Sequence, residues 1–193
     1  MLTIISIISL IIAITIHEFS HALMADQLGD PTPRSQDRLT LNPLKHLDPL
    51  GTLMLIFAKF GWGKPVPIDP YNLKNPRRDE LLIALAGPTS NILLAILVSI
   101  FKNFLPISYA ITYVFIATNI SLAIFNLLPI PPLDGSKIFL NLLPIEKSIE
   151  WQQAFQQYGN FILIILLFLP FQGSSLINLI ISPIIQLILK ILL

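Results

Sequence analysis

Cysteine is absent from the 193-residue chain, and charged side chains make up only 12% of it. Without cysteine the chain has neither disulfides nor thiolate metal sites. A soluble domain carries about a quarter charged residues, so a chain that is 54% hydrophobic and so poor in charge is not expected to be soluble. The net charge of +1 gives no indication of nucleic-acid binding, and no nucleic-acid partner is expected.

The shortage of charge is concentrated in four runs that lack Asp, Glu, Lys and Arg altogether: residues 1–16, 81–101, 103–133 and 151–189. About 20 apolar residues are enough for a helix to cross the bilayer core. The first run lacks the basic start and the cleavage site of a signal peptide, so we expect it to remain as a span. The sequence therefore predicts an all-α, multi-pass membrane protein, a helical bundle of about four to five spans forming a single domain over residues 1–193.

Positive charge is concentrated in a polar connector, residues 27–80, between a first span at about 2–25 and a second at about 81–101. Eight of the twelve Lys and Arg residues lie in it: Arg34, Arg38, Lys45, Lys59, Lys64, Lys74, Arg77 and Arg78. By the positive-inside rule this connector faces the cytoplasm. We therefore expect a protein of the cell membrane whose connector lies on the cytoplasmic side.

The connector contains three segments with structural signals of their own. Residues 49–58 are apolar but too short to cross, which predicts a re-entrant or interfacial segment. Residues 38–41 and 64–69 are predicted as short strands, the second one at an edge because it contains two prolines. The connector is thus expected to be re-entrant with a small β component.

Prolines divide the second half of the chain. The third span, about 109–128, is expected to end at the proline-rich residues 129–132, and residues 135–150 are expected near the cytoplasmic surface. The tail, 151–193, is too long and too uncharged for one crossing, so Pro170 and Gly173 are predicted to fold it into a helical hairpin. Residues 1–150, which contain the motifs described below, are expected to form the core of the domain.

The most polar cluster of the chain lies inside its first apolar run, in the sequence HEFSH. His17 and His21 are four residues apart, so on a helix their rings leave the same face one turn apart and are able to share one ion. Glu18 lies beside them, within reach of a water on that ion. The alternative is a chance pattern whose polar groups are hydrogen-bonded in the bundle, but ionisable groups inside a membrane are functional by default.

Two histidines at this spacing with a glutamate beside them are typical of a catalytic zinc site. Such a site usually has a third protein ligand. Without cysteine that ligand must be His, Asp or Glu, and the candidates near the membrane are His46, Asp48, Asp26 and Asp134. Asp134 follows the proline-rich break after the third span. Irregular backbone at membrane depth is tolerated only where it is buried in protein or lines a water-filled cavity, and a metal ligand is expected in such a place. An ordinary aspartate in a turn explains it equally well, and spacing alone leaves the two interpretations open.

Five segments in succession resemble the motifs of the site-2 protease family, a family of intramembrane zinc metalloproteases. These are HEFSH (17–21), LNPLKHLDPLGT (41–52), KPVPIDPYNLKNPRRDE (64–80), ALAGPTSN (84–91) and NLLPIPPLDG (126–135). They cover the first two-thirds of the chain in the family's order, and the chain resembles its compact prokaryotic members. No PDZ or other appended domain is expected, and the tail matches no motif.

The resemblance implies a set of roles for individual residues. Asp134, the aspartate of the LDG motif, is implied as the third ligand of one Zn²⁺, with Glu18 as the general base. Asn91 and Asn126 occupy motif positions and are candidates for binding substrate or the oxyanion, the alternative being hydrogen bonding between helices. His46 is not counted among the metal ligands.

The function implied by the resemblance is an intramembrane zinc endopeptidase acting on transmembrane proteins or peptides, with its active site towards the cytoplasmic side. The alternatives are a membrane transporter that passes protons or metal through the buried groups, and a catalytically silent protein that binds membrane partners. Glu18 discriminates between them, because water activation requires a carboxylate beside the histidine pair and a relay does not. The sequence leaves the substrate and the oligomeric state open.

Overall fold

Helices make up most of the computed structural model, which describes residues 2–58, 61–104, 108–171 and 173–193. In chain order the elements are α1 (Leu2–Gln27), α2 (Thr32–Ser35), α3 (Pro43–His46), α4 (Pro49–Ala58), a 3-10 turn (Pro70–Asn72), α5 (Pro76–Phe101), α6 (Tyr109–Asn126), α7 (Asp134–Leu142), α8 (Ile145–Phe168), β1 (Pro170–Phe171), β2 (Ser174–Ser175) and α9 (Leu176–Leu192). The expected all-α architecture is confirmed.

Three helices of the described residues, α1, α5 and α6, are long and apolar enough to cross a membrane. The first two have 26 residues each, which corresponds to about 39 Å against a hydrocarbon core of about 30 Å. The three pack against one another. Ala95 of α5 and Ile116 and Ile120 of α6 are fully buried where these helices meet.

The first helix ends where the sequence places a glycine. Gly29 adopts a φ of +108°, which side chains rarely tolerate. Its N–H donates to the Asp26 carbonyl at 3.2 Å, and the Asp30 N–H donates to the Ala25 carbonyl at 2.9 Å. These two bonds are those of a Schellman motif, which stops a helix and satisfies its last carbonyls.

Residues 38–41 and 64–69 are irregular and not strands, so that prediction is wrong. The Arg38 guanidinium joins the two segments by donating to the carbonyls of Pro65 at 2.7 Å and Lys64 at 2.5 Å. A regular ladder is not available because Pro65 and Pro67 have no N–H to donate. The β structure of the described connector is one antiparallel bridge between Leu47 and Gly63.

The segment predicted as re-entrant or interfacial, residues 49–58, forms the ten-residue helix α4. At 1.5 Å per residue it reaches about 15 Å, half of the hydrocarbon core, so it does not cross. Its Gly51 lies directly against the backbone of Trp62, and a Cβ at that position would overlap the Trp62 carbonyl. The start of α4 is therefore packed closely against the segment that approaches the first span.

The tail turns back on itself between β1 and β2. β1 and β2 pair around Gly173, whose φ is +82°, and connect α8 to α9. α9 packs on α6, and its Leu192 carbonyl accepts hydrogen bonds from Ser99 and Lys102 at the end of α5. The three helices above are fewer than the four to five spans expected, and that count is reached only if α8 and α9, of 24 and 17 residues, also cross.

Candidate metal centre

His17 and His21 lie on the buried face of α1, with ring centroids 4.7 Å apart and ring planes at 82°. Each imidazole is oriented through its Nδ1 atom. His17 Nδ1 lies 2.7 Å from Asn91 Oδ1, and His21 Nδ1 lies 2.7 Å from the Ile83 carbonyl oxygen. Because both partners are acceptors, each Nδ1 carries the proton and donates, which leaves both Nε2 lone pairs free to bind a metal.

Asp134, the first residue of α7, brings a carboxylate to these two nitrogens. Its Oδ2 atom lies 3.0 Å from His17 Nε2 and 3.2 Å from His21 Nε2. Gly135 makes this approach possible, since a Cβ there would overlap the carbonyl oxygens of Leu127 and Leu128. The LDG motif therefore needs its glycine so that α7 starts directly against the end of α6.

The three side chains fit a zinc ion in donor type and in spacing. Two imidazole nitrogens and one carboxylate oxygen lie within 4.8 Å of one another. Zinc–nitrogen bonds of 2.0–2.1 Å place tetrahedral ligand atoms about 3.3 Å apart, close to the 3.0 and 3.2 Å observed. No other group of three such ligands occurs among the described residues.

Gly87 of α5 keeps the space between the imidazoles open. A Cβ at this position would overlap His21 Nε2 and lie 2.6 Å from His17 Nε2. The structure thus leaves room for an ion at the point where both nitrogens converge. In the sequence, Gly87 lies in the segment ALAGPTSN, which gave no sign of an approach to the histidines.

The carboxylate of Asp134 is largely buried, with 15% of its side chain exposed. Burial acts to raise the pKa of Asp134, but the imidazoles of His21 and His17 outweigh it and hold that pKa well below its usual range. The group is therefore an anion at neutral pH. A carboxylate beside two imidazoles is a donor set that zinc prefers.

Glu18 lies half-buried beside the histidine pair, close to the connector. A Cβ on Gly63 would lie 3.4 Å from Glu18 Oε1 and 2.8 Å from Ile14 Cγ2, so the backbone of Gly63 packs closely over this part of α1. Among the residues that the structure describes, none donates a hydrogen bond to the Glu18 carboxylate.

A buried amide network connects the centre to all three long helices. Asn91 Nδ2 donates to the Ala13 carbonyl and to Asn119 Oδ1, each at 3.0 Å, and Asn119 Nδ2 donates to the Phe115 carbonyl at 2.9 Å. Asn91 and Asn119 are both fully buried. Sequence reasoning missed Asn119, although an amide in the apolar run ATNISL was an available signal.

The two asparagines named from the sequence are placed differently. Asn91 joins the centre through His17, and both of its amide hydrogens are engaged. Asn126 lies at the end of α6, where its amide donates to the Leu122 carbonyl of the same helix at 3.0 Å. Within the described part of the chain no hydrogen bond joins Asn126 to the histidine pair or to Asp134.

His46 is fully buried but belongs to the connector. Its Nε2 lies 2.6 Å from the Thr40 carbonyl, which orders the loop after α2. Burial lowers the pKa of His46, so the ring is neutral at physiological pH. It is not part of the cluster of His17, His21 and Asp134.

Comparison with known proteins agrees with this arrangement. The sequence profile of peptidase family M50 matches residues 107–170. A protein of Bacillus subtilis (strain 168), named "Putative zinc metalloprotease YwhC", is 40% identical over 181 residues, which cover 87% of this chain and 81% of that protein. The chain belongs to peptidase family M50. The resemblance to site-2 proteases, which form this family, is thereby confirmed.

More distant relatives of this M50 chain are found in mycobacteria. The protein named "Putative zinc metalloprotease Rip2" from Mycolicibacterium smegmatis is 33% identical over 174 residues, 83% of this chain and 65% of that protein. Its namesake from Mycobacterium tuberculosis (strain H37Rv) is 34% identical over 171 residues, 82% of this chain and 63% of that protein. No solved structure matches the M50 chain.

Proposed function

We propose that this M50 chain is an intramembrane zinc endopeptidase that hydrolyses peptide bonds within or near transmembrane segments of membrane proteins. The observation that carries the proposal is the convergence of His17 Nε2 and His21 Nε2 on Asp134 Oδ2, at 3.0 and 3.2 Å, inside a bundle of apolar helices. The names of the relatives, which describe zinc metalloproteases, support it. Three ionisable groups buried together are costly unless a bound ion offsets their desolvation.

In this proposal His17, His21 and Asp134 hold one Zn²⁺ per chain. Bound zinc supplies Lewis acidity, which activates water and polarises a carbonyl. Glu18, adjacent to His17 in sequence and free of hydrogen bonds within the described residues, accepts the proton of the attacking water and delivers it to the leaving amine. Protonation of the amine allows the peptide bond to break.

Asn91 and Asn126 have different roles in the proposed reaction. Because the amide of Asn91 is fully engaged, we assign it to orienting the His17 imidazole. Asn126 has one amide hydrogen beyond its bond to Leu122. It remains our candidate for donating a hydrogen bond to the oxyanion.

The substrate class follows from the depth of the histidines. His21 and His17 lie six and ten residues before the end of α1 at Gln27, which is about 9 and 15 Å along the helix axis. Peptide bonds at this depth belong to a chain that is itself in the membrane. The basic connector supports a site that opens towards the cytoplasm.

The decisive experiment compares the purified protein with its Glu18→Gln and Asp134→Ala variants in detergent. Bound metal is measured, and cleavage of a helical membrane peptide is followed by mass spectrometry. We expect Glu18→Gln to keep zinc and lose cleavage, and Asp134→Ala to lose both. Glu146→Gln, an exposed glutamate in the first turn of α8, is the matched control and should retain both.

Two results contradict the proposal. Cleavage by Glu18→Gln at the wild-type rate excludes Glu18 as the proton acceptor. Zinc-dependent proton or metal flux through reconstituted vesicles, without peptide cleavage by the wild-type protein, indicates a transporter. Cleavage and flux are measured on the same preparation of protein. A preparation that has lost its zinc is therefore recognised by the measurement of bound metal before either result is interpreted.

A further inference from the structure

The helix that carries Asp134 is short and depends on its surroundings. α7 has nine residues, which is below the length at which an isolated helix is stable in water. Its position must therefore come from tertiary contacts. It packs on α5 and also contacts α8, which continues into the tail from residue 151 onward.

An aromatic cluster joins α7 to α8. The ring of Phe139 on α7 lies 5.3 Å from that of Trp151 and 6.1 Å from that of Phe155, and the two α8 rings lie 5.6 Å apart. The Phe139 and Trp151 planes are perpendicular, at 89°. This edge-to-face arrangement is a favourable and directional contact between aromatic rings, so it favours one orientation of α7 relative to α8.

A second contact lies one turn further along α8. Gly159 is the one buried residue of α8, all of whose residues are described. A Cβ on it would lie 2.9, 3.0 and 3.1 Å from Cγ, Cβ and Cδ of Pro131. Pro131 is three residues before Asp134, so α8 contacts the chain on both sides of the carboxylate.

Trp151, Phe155 and Gly159 are spaced four residues apart, so they form one stripe along α8. We propose that this stripe is a positioning element for Asp134. It holds Pro131 and Phe139 so that the carboxylate stays 3.0 and 3.2 Å from the two imidazole nitrogens. The inference rests on the proposed function, because it takes Asp134 to be a metal ligand.

The tail thus has a part in the site, although none of the five motif-like segments extends beyond residue 135. A metal ligand on a short helix must be held within about 0.5 Å of its working position. Displacing Pro131 or releasing Phe139 moves Asp134 without altering either histidine. We therefore expect weaker metal binding with the fold retained.

The test measures zinc affinity by competition with a chelator, using purified protein in detergent. Gly159→Leu and Trp151→Ala are expected to weaken zinc binding roughly 10- to 100-fold, the range found when residues supporting a metal ligand are changed. Trp151→Phe should largely restore it. Phe161→Ala, which truncates an exposed aromatic residue of α8 off the stripe, is the control and should bind zinc normally.

A second measurement separates positioning from general damage. In an Asp134→Ala background, Gly159→Leu should cause no further loss of zinc affinity, because the group it positions is gone. The visible absorption of Co²⁺-loaded Trp151→Ala should differ from that of the wild type, since it reports ligand geometry. Thermal unfolding of each variant identifies any that fail to fold, and Phe155→Leu then replaces it.

Three outcomes overturn the inference. Zinc affinity unchanged in both Gly159→Leu and Trp151→Ala shows that the stripe does not support the ligand. An equal further loss in the Asp134→Ala background shows that the stripe acts on the whole bundle. Unchanged affinity in Asp134→Ala alone shows that Asp134 is not a ligand, and in that case the proposed function fails together with the inference.

Discussion

His17 Nδ1 and Asn91 Oδ1 lie 2.7 Å apart in the centre of the bundle, and this bond connects the first long helix to the second. The Asn91 side chain is fixed in turn by the Ala13 carbonyl and by Asn119. The orientation of one imidazole is therefore determined by contacts from all three long helices.

Asn91→Leu tests this relationship. The substitution removes the acceptor of the His17 Nδ1 proton and leaves Asn119 Oδ1 without its donor, a loss of about 1–3 kcal/mol for a buried polar group. We expect a lower thermal midpoint and zinc affinity reduced about 10- to 100-fold. Asn160→Ala, at an exposed position of α8, should change neither. Normal zinc affinity in Asn91→Leu would show that the hydrogen bond from His17 Nδ1 to Asn91 is not needed to orient the imidazole.

Gly87→Ala separates metal binding from stability. Alanine favours a helix by about 1 kcal/mol over glycine, yet its Cβ would overlap His21 Nε2 and crowd His17 Nε2. We expect zinc affinity to fall by more than about 100-fold, since neither nitrogen then reaches an ion at bonding distance. Equilibrium dialysis measures the affinity for zinc, and a thermal scan measures the change in stability.

The reciprocal change at the preceding residue, Ala86→Gly, is the control for Gly87→Ala. It should lower stability by about 1 kcal/mol and leave zinc affinity unchanged. If Gly87→Ala binds zinc as tightly as the wild type, the ion does not lie between the imidazoles at this face of α5. The position assigned to the centre would then be incorrect.

The sequence was sufficient to predict the central helices and the residues that meet in the candidate centre. The four-residue spacing of His17 and His21 determines their shared face on any helix, and the LDG motif indicated Asp134 from the resemblance. Both signals are local or belong to a family pattern. For this reason they did not require knowledge of how the helices pack.

Features that depend on long-range packing were not predictable. The strands at 38–41 and 64–69 were expected from composition, but a single side chain, Arg38, replaces their ladder. The stripe of Trp151, Phe155 and Gly159 has helical spacing, and the glutamines between its members make this part of α8 amphipathic. The periodicity therefore marks a packing face of α8, but it does not say which element that face contacts. Only the fold brings this stripe to α7.

Asp30 gives the connector a pH-dependent stability. Its carboxylate accepts hydrogen bonds from the Thr32 N–H and hydroxyl, from Asn72 Nδ2 and from the Asp69 N–H. Burial acts to raise the pKa of Asp30, but these bonds outweigh it and lower that pKa below its ordinary value. The stabilisation is therefore present above the unfolded-state pKa, about 3.9, and is lost as the pH falls through the folded-state pKa.

Asp30→Asn should remove this contribution. Hydrogen bonds to a charged group contribute about 1.5–3 kcal/mol, so at pH 7 the connector of the variant should open more readily by a similar amount. Hydrogen-exchange protection of the Thr32 and Asp69 amides measures the difference, which should shrink below about pH 4. Asp37→Asn, which changes an exposed carboxylate, should leave the protection intact. If the difference in protection between the wild type and Asp30→Asn persists unchanged in acid, the ionised Asp30 carboxylate is not what stabilises the connector.

Arg38 gives a way to disturb the surroundings of Glu18 while leaving the metal ligands in place. Its guanidinium donates to the carbonyls of Lys64 and Pro65, and the preceding residue, Gly63, packs beside Glu18. A lysine keeps the charge but cannot direct two fixed N–H groups at two carbonyls. Arg38→Lys should therefore lower kcat for peptide cleavage about 10- to 100-fold, because small displacements of a catalytic group are costly, while zinc content stays at the wild-type level.

Arg34→Lys is the matched control for Arg38→Lys, since the Arg34 guanidinium is exposed and bonds to Asp26 instead of to the segment beside Glu18. Its kcat and zinc content should both equal those of the wild type. If Arg38→Lys instead loses zinc in proportion to activity, the connector supports the metal ligands and not Glu18. A fall in kcat with full zinc occupancy is the result that assigns the segment held by Arg38 to the positioning of Glu18.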